Sequence, residues 1–363
     1  MKRMIHRIAL LVLIATFVRM TLAGPPIPQQ PVAGTFSIVA CDPLMQEWGV
    51  AVQSKFLGVG AGVPFAKAGI GAIATQSWAN TTYGPRGLEL LKLGADASRA
   101  LDVLLASDEN AKHRQVGIVD RTGKAAAWTG ESCMPFAGHI TGEGFTVQGN
   151  ILTSQAVIEA MAESFRTSTG PLGLRLIKAL HAAQEKGGDS RGRQSAALLV
   201  VREGAGYSGF DDRFIDLRVD DHPDPIVELE RIYYLHEQTF QGDAYIRTTI
   251  SALKNRNQEL ADRAMNRLTE ILDKYPHNAQ LLNAVAWELA TNDFRLQDAL
   301  KYARCAVDLE PQDANIWDTL GETYARLGQY DEAVRAEDRA LELSKGAAEF
   351  KAKRDTWAEK RTN

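Results

Sequence analysis

The chain has 363 residues, 45% of them apolar and 24% charged, with a formal net charge of −4. That length and composition fit a globular chain of two domains with a sizeable core. The slight acidic balance and the scatter of Lys and Arg argue against a nucleic-acid binder or a protein held on an acidic membrane surface. Three dispersed cysteines (Cys41, Cys133, Cys305) do not make a disulfide framework, and no His or Cys pair has zinc-ligand spacing, so no metal is expected.

The N-terminus reads as a removable address. Met1 to Arg7 is basic, Ile8 to Val18 is apolar, and Thr21-Leu22-Ala23 puts small residues at positions −3 and −1 of a cleavage point. This is the three-part pattern of a secretory signal over residues 1–23, with an apolar run too short to span a bilayer comfortably. An exported protein, periplasmic or secreted, is expected, with no membrane association once the signal is gone. Residues 24–34 (GPPIPQQPVAG) hold four prolines and read as an extended arm.

From Thr35 the pattern turns strand-rich. Thr35–Cys41 and Trp48–Gln53 read as a hairpin around Asp42-Pro43, and Ile70–Ser77 reads as a third strand. Helical spacing follows over Leu88–Leu93 and Ala97–Ala106, the second capped by Asp96. Strands return at Gln115–Val119, Ala125–Trp128 and Gly144–Gly149, then helices at Ser154–Arg166 and Leu172–Glu185. Ser195–Val201 and Phe214–Val219 are further strands, and Pro225–Leu235 is an exit helix. Hairpins outnumber βα alternations, which argues for sheets with helices on their outer faces rather than a doubly wound parallel sheet.

Beyond about residue 238 glycine becomes rare and helix formers dominate. Trp317-Asp318-Thr319-Leu320-Gly321-Glu322-Thr323-Tyr324 matches the W-x2-L-G-x2-Y element of a tetratricopeptide repeat. Ala299 and Ala306 lie 34 residues before Ala333 and Ala340, at positions where paired helices need small residues. Two helical-hairpin repeats plus flanking helices are expected over 239–363, after a strand-rich domain over 35–238.

The chemistry centres on Thr35. Read locally, Thr35 is first of all the head of a strand, where Thr is favoured. As an internal residue its hydroxyl is a poor nucleophile. As a chain terminus it would carry its own base, since an α-amine with a pKa of roughly 7.7–8.0 can take the hydroxyl proton near neutral pH. Gly34, just before it, leaves the peptide carbon open to attack. Ser37 and Cys41 are alternate nucleophiles on the same strand; neither could use a terminal amine.

A family resemblance covers Thr35 to about Leu235. Thr35-Phe36-Ser37-Ile38-Val39-Ala40-Cys41-Asp42-Pro43 with Gly49-Val50-Ala51-Val52-Gln53-Ser54-Lys55-Phe56 resembles the start of the bacterial family catalogued as domain of unknown function 1028. Thr75-Gln76-Ser77-Trp78-Ala79-Asn80, Tyr83-Gly84-Pro85-Arg86-Gly87, Gln148-Gly149-Asn150, Gly192-Arg193-Gln194-Ser195 and Asp220-Asp221-His222-Pro223 belong to the same set. The family is assigned to the N-terminal-nucleophile hydrolases. The resemblance therefore implies a four-layer αββα sandwich and amide hydrolysis by a terminal Thr35. Family members commonly start Met-Thr-Phe-Ser, whereas here an arm ending in Gly34 precedes the threonine. Exposure would come by self-cleavage at Gly34–Thr35 or by a signal peptidase acting there.

The supporting roles follow from chemistry and from this resemblance. Lys67 lies 32 residues after Thr35, an offset similar to that of a lysine in threonine-type members of the superfamily, and Lys55 competes for the same role of lowering the amine's pKa. Asn80 and Asn150 are amide donors for an oxyanion, and Arg86 and Arg193 suit a substrate carboxylate. The expected partners are a small amide or peptide substrate and a protein held by the repeats, with a homo-oligomer left open; no cofactor is expected. The other reading is a binding scaffold that works through its repeats and carries an inactive αββα domain.

Overall fold

A computed structural model describes residues 34–361. The expected signal at 1–23, and the arm up to Ala33, lie outside the described residues. Among the described residues no helix is long and apolar enough to cross a membrane.

Two antiparallel sheets form the N-terminal part. The first orders its strands β10-β9-β2-β1-β8-β7, the second β3-β4-β5-β6. The strands are β1 (Thr35–Asp42), β2 (Glu47–Ser54), β3 (Pro64–Lys67), β4 (Gly71–Ser77), β5 (Arg114–Asp120), β6 (Ala125–Thr129), β7 (Gly138–Gly142), β8 (Phe145–Asn150), β9 (Ser195–Val201) and β10 (Arg213–Val219). Two short edge strands, β3 and β7, go beyond the strands expected from sequence; PFAK and GHITG are too brief to show period-two alternation.

Period-two alternation sorts β1 into two faces. Phe36, Ile38 and Ala40 pack under helices α3 (Ala156–Thr167) and α4 (Leu172–Glu185) with Met161, Leu176 and Leu180. Val39 and Cys41 point the other way and meet Ala72, Ala74 and Val119 of the second sheet. The outer face of that sheet (Ile73, Val116, Ile118) is covered by α1 (Tyr83–Lys92) and α2 (Ala97–Ala106), which bury Leu91, Leu101 and Leu104. The layers therefore run helix, sheet, sheet, helix, as the resemblance implies. Asp96 caps α2 by accepting from the Arg99 backbone N–H, and α1 starts at Tyr83, five residues earlier than its apolar spacing suggests.

Helix α5 (Pro225–His236) passes through a π-helical segment (Glu237–Gln241) directly into α6 (Gly242–Lys254). Six more helices follow: α7 (Gln258–Lys274), α8 (Ala279–Thr291), α9 (Leu296–Leu309), α10 (Ala314–Arg326), α11 (Tyr330–Leu343) and α12 (Ala348–Arg361). Neighbours pair as α6/α7, α8/α9 and α10/α11, with α12 against α11. Ala299, Ala306, Ala333 and Ala340 are all fully buried, as the repeat register requires. The flanking helices thus supply another hairpin and a closing helix around the two expected repeats.

A single apolar cluster runs from Phe36 through Tyr233 and Tyr245 to Ile316, joining the first sheet to the helical array. Within this junction Arg202 is buried between the rings of Phe214 and Tyr245, 3.9 and 4.5 Å from their centroids. Its guanidinium donates to Glu47 Oε1 at 2.5 Å. Burial pushes the Glu47 carboxyl up to about 7, against the pull of Arg202.

Candidate functional site

The space between the sheets is apolar at one end and polar at the other. At the polar end Thr35 sits opposite Ser54 on β2 and Asn150 on β8, in the middle of the six-stranded sheet. Thr35, Ser37, Gln148 and Asn150 share this inner face with Gln76 and Gln115 of the second sheet, all of them fully buried. Ser37 Oγ donates to Gln76 Oε1 at 2.6 Å and accepts from Gln148 Nε2 at 2.6 Å. Gln76 Nε2 donates to Gln115 Oε1 at 2.8 Å and to the Thr35 carbonyl at 3.3 Å. Gln115 donates in turn to the Gly149 carbonyl at 2.8 Å, and Asn150 Nδ2 donates to Gln115 Oε1 at 3.0 Å. Gly117 makes room for this network, since a Cβ there would come 2.2 Å from Gln148 Oε1. Buried amides without partners are expensive, so a linked network of this kind holds its members in one arrangement.

The peptide carbonyl before Thr35 is gripped by two side chains. Ser54 Oγ donates to the Gly34 oxygen at 2.5 Å, and the same Oγ accepts from Thr35 Oγ1 at 3.1 Å. The Arg191 guanidinium donates to the Gly34 oxygen at 2.8 Å. Arg191 is itself fixed by Asp189, through Nε to Oδ1 at 3.1 Å and a terminal nitrogen to Oδ2 at 2.7 Å. Asp189 is 2% exposed, and its oxygens also accept the backbone N–H groups of Arg191 (2.9 Å) and Lys55 (3.1 Å). A buried carboxylate met by four donors is a rigid base for the guanidinium above it. A hydroxyl, a hydroxyl relay and a doubly held carbonyl oxygen therefore converge on the Gly34–Thr35 bond. This is the donor geometry that stabilises negative charge developing on an acyl oxygen.

Of the residues expected from sequence, the structure brings Gly34, Thr35 and Asn150 together. Asn150 Oδ1 is buried without a hydrogen-bond partner. Lys55 is adjacent, but it contributes through its backbone N–H; its ammonium reaches the Arg193 carbonyl at 3.3 Å. Lys67 ends β3 opposite Gly71 with its side chain exposed. Gly71 lies five residues along β4 from Gln76, so Lys67 is about 17 Å down the strand from the Thr35 end. Asn80 serves the start of α1, donating to Asp108 at 2.9 Å and accepting from Thr82 at 2.7 Å. Although burial opposes it, hydrogen bonds from Arg114 and Asn80 hold the Asp108 carboxyl below the usual range. Arg86 donates to Ser107 on the outer helical layer. Arg193 pairs with Asp224 beside a cavity of about 200 Å³ lined by His181, Gln184 and Ile226. Ser37 is locked in the amide network, and burial pushes the Cys41 thiol up to about 12, which removes its thiolate at neutral pH.

The model of the family of unknown function (DUF1028) matches residues 35–229. The chain belongs to this family. A crystal structure of a DUF1028 protein from Silicibacter pomeroyi is 32% identical, covers 55% of this chain and 88% of its own, and superposes with a TM-score of 0.50. The tetratricopeptide-repeat domain of Sgt2 from Aspergillus fumigatus covers 34% of this chain and 81% of its own, at 20% identity and a TM-score of 0.27. Among curated proteins none matches. The DUF1028 match starts on Thr35 itself, so Gly34 and the arm stand just outside it. Within the DUF1028 segment, sequence reasoning missed Ser54, Asp189 and Arg191 as site residues. Ser54 and Gln76 do break otherwise apolar inward faces of β2 and β4, which is a legible signal. Arg191 lies 157 residues from the carbonyl it holds, in a loop, and nothing local marks it.

Proposed function

We propose that this DUF1028 protein is an N-terminal-nucleophile amide hydrolase that exposes Thr35 by cutting its own Gly34–Thr35 bond. The observation that carries this reading is the Gly34 carbonyl oxygen, held by Ser54 and Arg191 beside the Thr35 hydroxyl. In the maturation step Thr35 Oγ1 bonds to the Gly34 carbonyl carbon while its proton passes to Ser54 Oγ, and the Ser54 proton passes to the carbonyl oxygen. Collapse of the adduct breaks the Gly34 C–Thr35 N bond, and the proton returns through Ser54 to the departing nitrogen. Water then hydrolyses the resulting ester, leaving a Gly34 carboxylate on the arm and a free Thr35 with both amine and hydroxyl. In the mature form the α-amine takes over as base for attack on an external amide. With the export expected from residues 1–23, the proposed substrate is one met outside the cytoplasm.

The test is the N-terminus of the chain recovered after expression. Thr35 first in the wild type, and an arm still joined through Gly34 to residue 35 in Thr35→Ala, supports the reading. A wild-type chain that retains its arm under all conditions refutes it and favours a binding scaffold built on the helical hairpins.

A further inference from the structure

The same cradle carries information about which acyl group it accepts. An ideal L-Cβ built on Gly34 would lie 2.6 Å from an Arg191 terminal nitrogen, 2.9 Å from its guanidinium carbon and 2.9 Å from the Ile151 Cβ. Real contacts are never this short, so one of these groups would have to move. Arg191 presents the far end of a flexible side chain, directed by two guanidinium hydrogen bonds to Asp189 and one to the Gly34 oxygen, and it can swing aside by rotation about its side-chain torsions. Ile151 is less able to give. Its contacting atom is a Cβ, fixed by the backbone, and that backbone is held on both sides. The Ile151 N–H donates to the Met134 carbonyl at 3.0 Å, and its carbonyl accepts from Ser190 N–H at 2.9 Å. Ile151 also has φ of 55°, in the left-handed region that a β-branched residue rarely enters. That conformation turns its Cβ toward the acyl position directly after Asn150, the strand partner of Thr35.

We infer that the site is selective for acyl groups whose α-carbon bears no L side chain, so that its substrates are amides of glycyl or straight-chain acyl groups. The inference rests on the reading that Thr35 attacks a carbonyl seated where that of Gly34 sits. Gly34 is then the first substrate, and an external acyl group takes the same seat once the arm has left. The bond changes are those of any such turnover. The Thr35 Oγ1 bonds to the acyl carbon, the amide C–N bond breaks, and the leaving nitrogen takes the proton carried by the α-amine. Water then releases the acid and restores the hydroxyl. Ile151 acts here by shape, as the fixed wall of the acyl pocket.

The experiment uses the full-length chain and follows self-cleavage by intact mass over time. Gly34→Ala is expected to cleave at least about 10-fold more slowly than wild type, in line with what one misplaced methyl does in a tight pocket. Ile151→Gly removes the blocking Cβ and suits a φ of 55°. The double variant Gly34→Ala/Ile151→Gly is expected to regain most of the lost rate. Cleavage of Gly34→Ala within about threefold of wild type overturns the inference while leaving the maturation reading intact. A double variant that melts like its parent and stays as slow as Gly34→Ala also overturns it. A wild-type chain that stays whole removes the reading and this inference together.

Discussion

Replacing Ser54 with Ala tests the relay at its most informative atom. Ser54 Oγ both accepts from Thr35 Oγ1 at 3.1 Å and donates to the Gly34 oxygen at 2.5 Å, so one substitution removes the proton path and one of the two donors. Loss of a single oxyanion donor slows acyl transfer by about 10²–10³, equivalent to about 2.7–4 kcal/mol of barrier. The effect on folding is smaller. Two hydroxyl hydrogen bonds at about 1 kcal/mol each set a loss of about 2 kcal/mol, and Arg191 still covers the Gly34 oxygen. The two quantities separate in practice. Ser54→Ala should give a folded chain, with a modestly lower Tm, that accumulates as the uncut precursor. The assay is the rate at which a chain beginning at Thr35 appears, read by intact mass from purified precursor. Cleavage within about threefold of wild type, in a chain that melts normally, would refute the assignment of Ser54 as relay.

Other consequences can be checked in the same preparations. Lys67→Ala should change the cleavage rate by less than about twofold, because Lys67 stands about 17 Å down the strand; a tenfold loss would show that its charge reaches the site. Once Thr35 is exposed, its amine must be neutral to act as base, so turnover should rise with pH through a value near 8 and level off above it. A rate that falls over that range in a pH profile would assign the base elsewhere. Glu47→Leu leaves the Arg202 guanidinium buried without its carboxylate and should destabilise the fold by about 3–5 kcal/mol in a denaturant titration; a change below about 1 kcal/mol would mean the pair is replaceable. Glu337 is fully buried on α11, and burial together with the Asp318 carboxylate pushes its carboxyl up to about 9. Because its folded value lies above the usual 4.5, keeping it protonated costs stability progressively as pH rises from 4.5 toward 9. Glu337→Gln should therefore raise Tm at pH 8 and leave it nearly unchanged at pH 4; an equal shift at both pH values would contradict this origin.

Much of the frame is legible in the sequence. Alternation in Thr35–Cys41 separates a helix-facing set from a sheet-facing set, and the two cores divide along that line. The 34-residue spacing of Ala299 and Ala306 with Ala333 and Ala340 locates four buried helix contacts. These features are local or periodic, and sequence shows such features directly. The site is assembled differently. Ser54 reaches Thr35 because a hairpin register places them opposite one another, and Arg191 arrives from a loop held by a buried aspartate. Asn80 and Arg86 carry suitable chemistry but are used by the outer helical layer, in bonds to Asp108 and Ser107. Residue type alone could not separate them from Arg191, because the difference lies in which loop the fold turns inward.

The central claim is that the Gly34–Thr35 bond is cut by the chain itself. The most direct measurement is a time course of intact mass on purified precursor in the absence of other proteins, comparing wild type with Thr35→Ala. The account predicts first-order, concentration-independent conversion of the wild-type chain to a species beginning at Thr35, and no conversion of Thr35→Ala. Equal conversion of both chains, or a wild-type precursor that stays uncut, would contradict it.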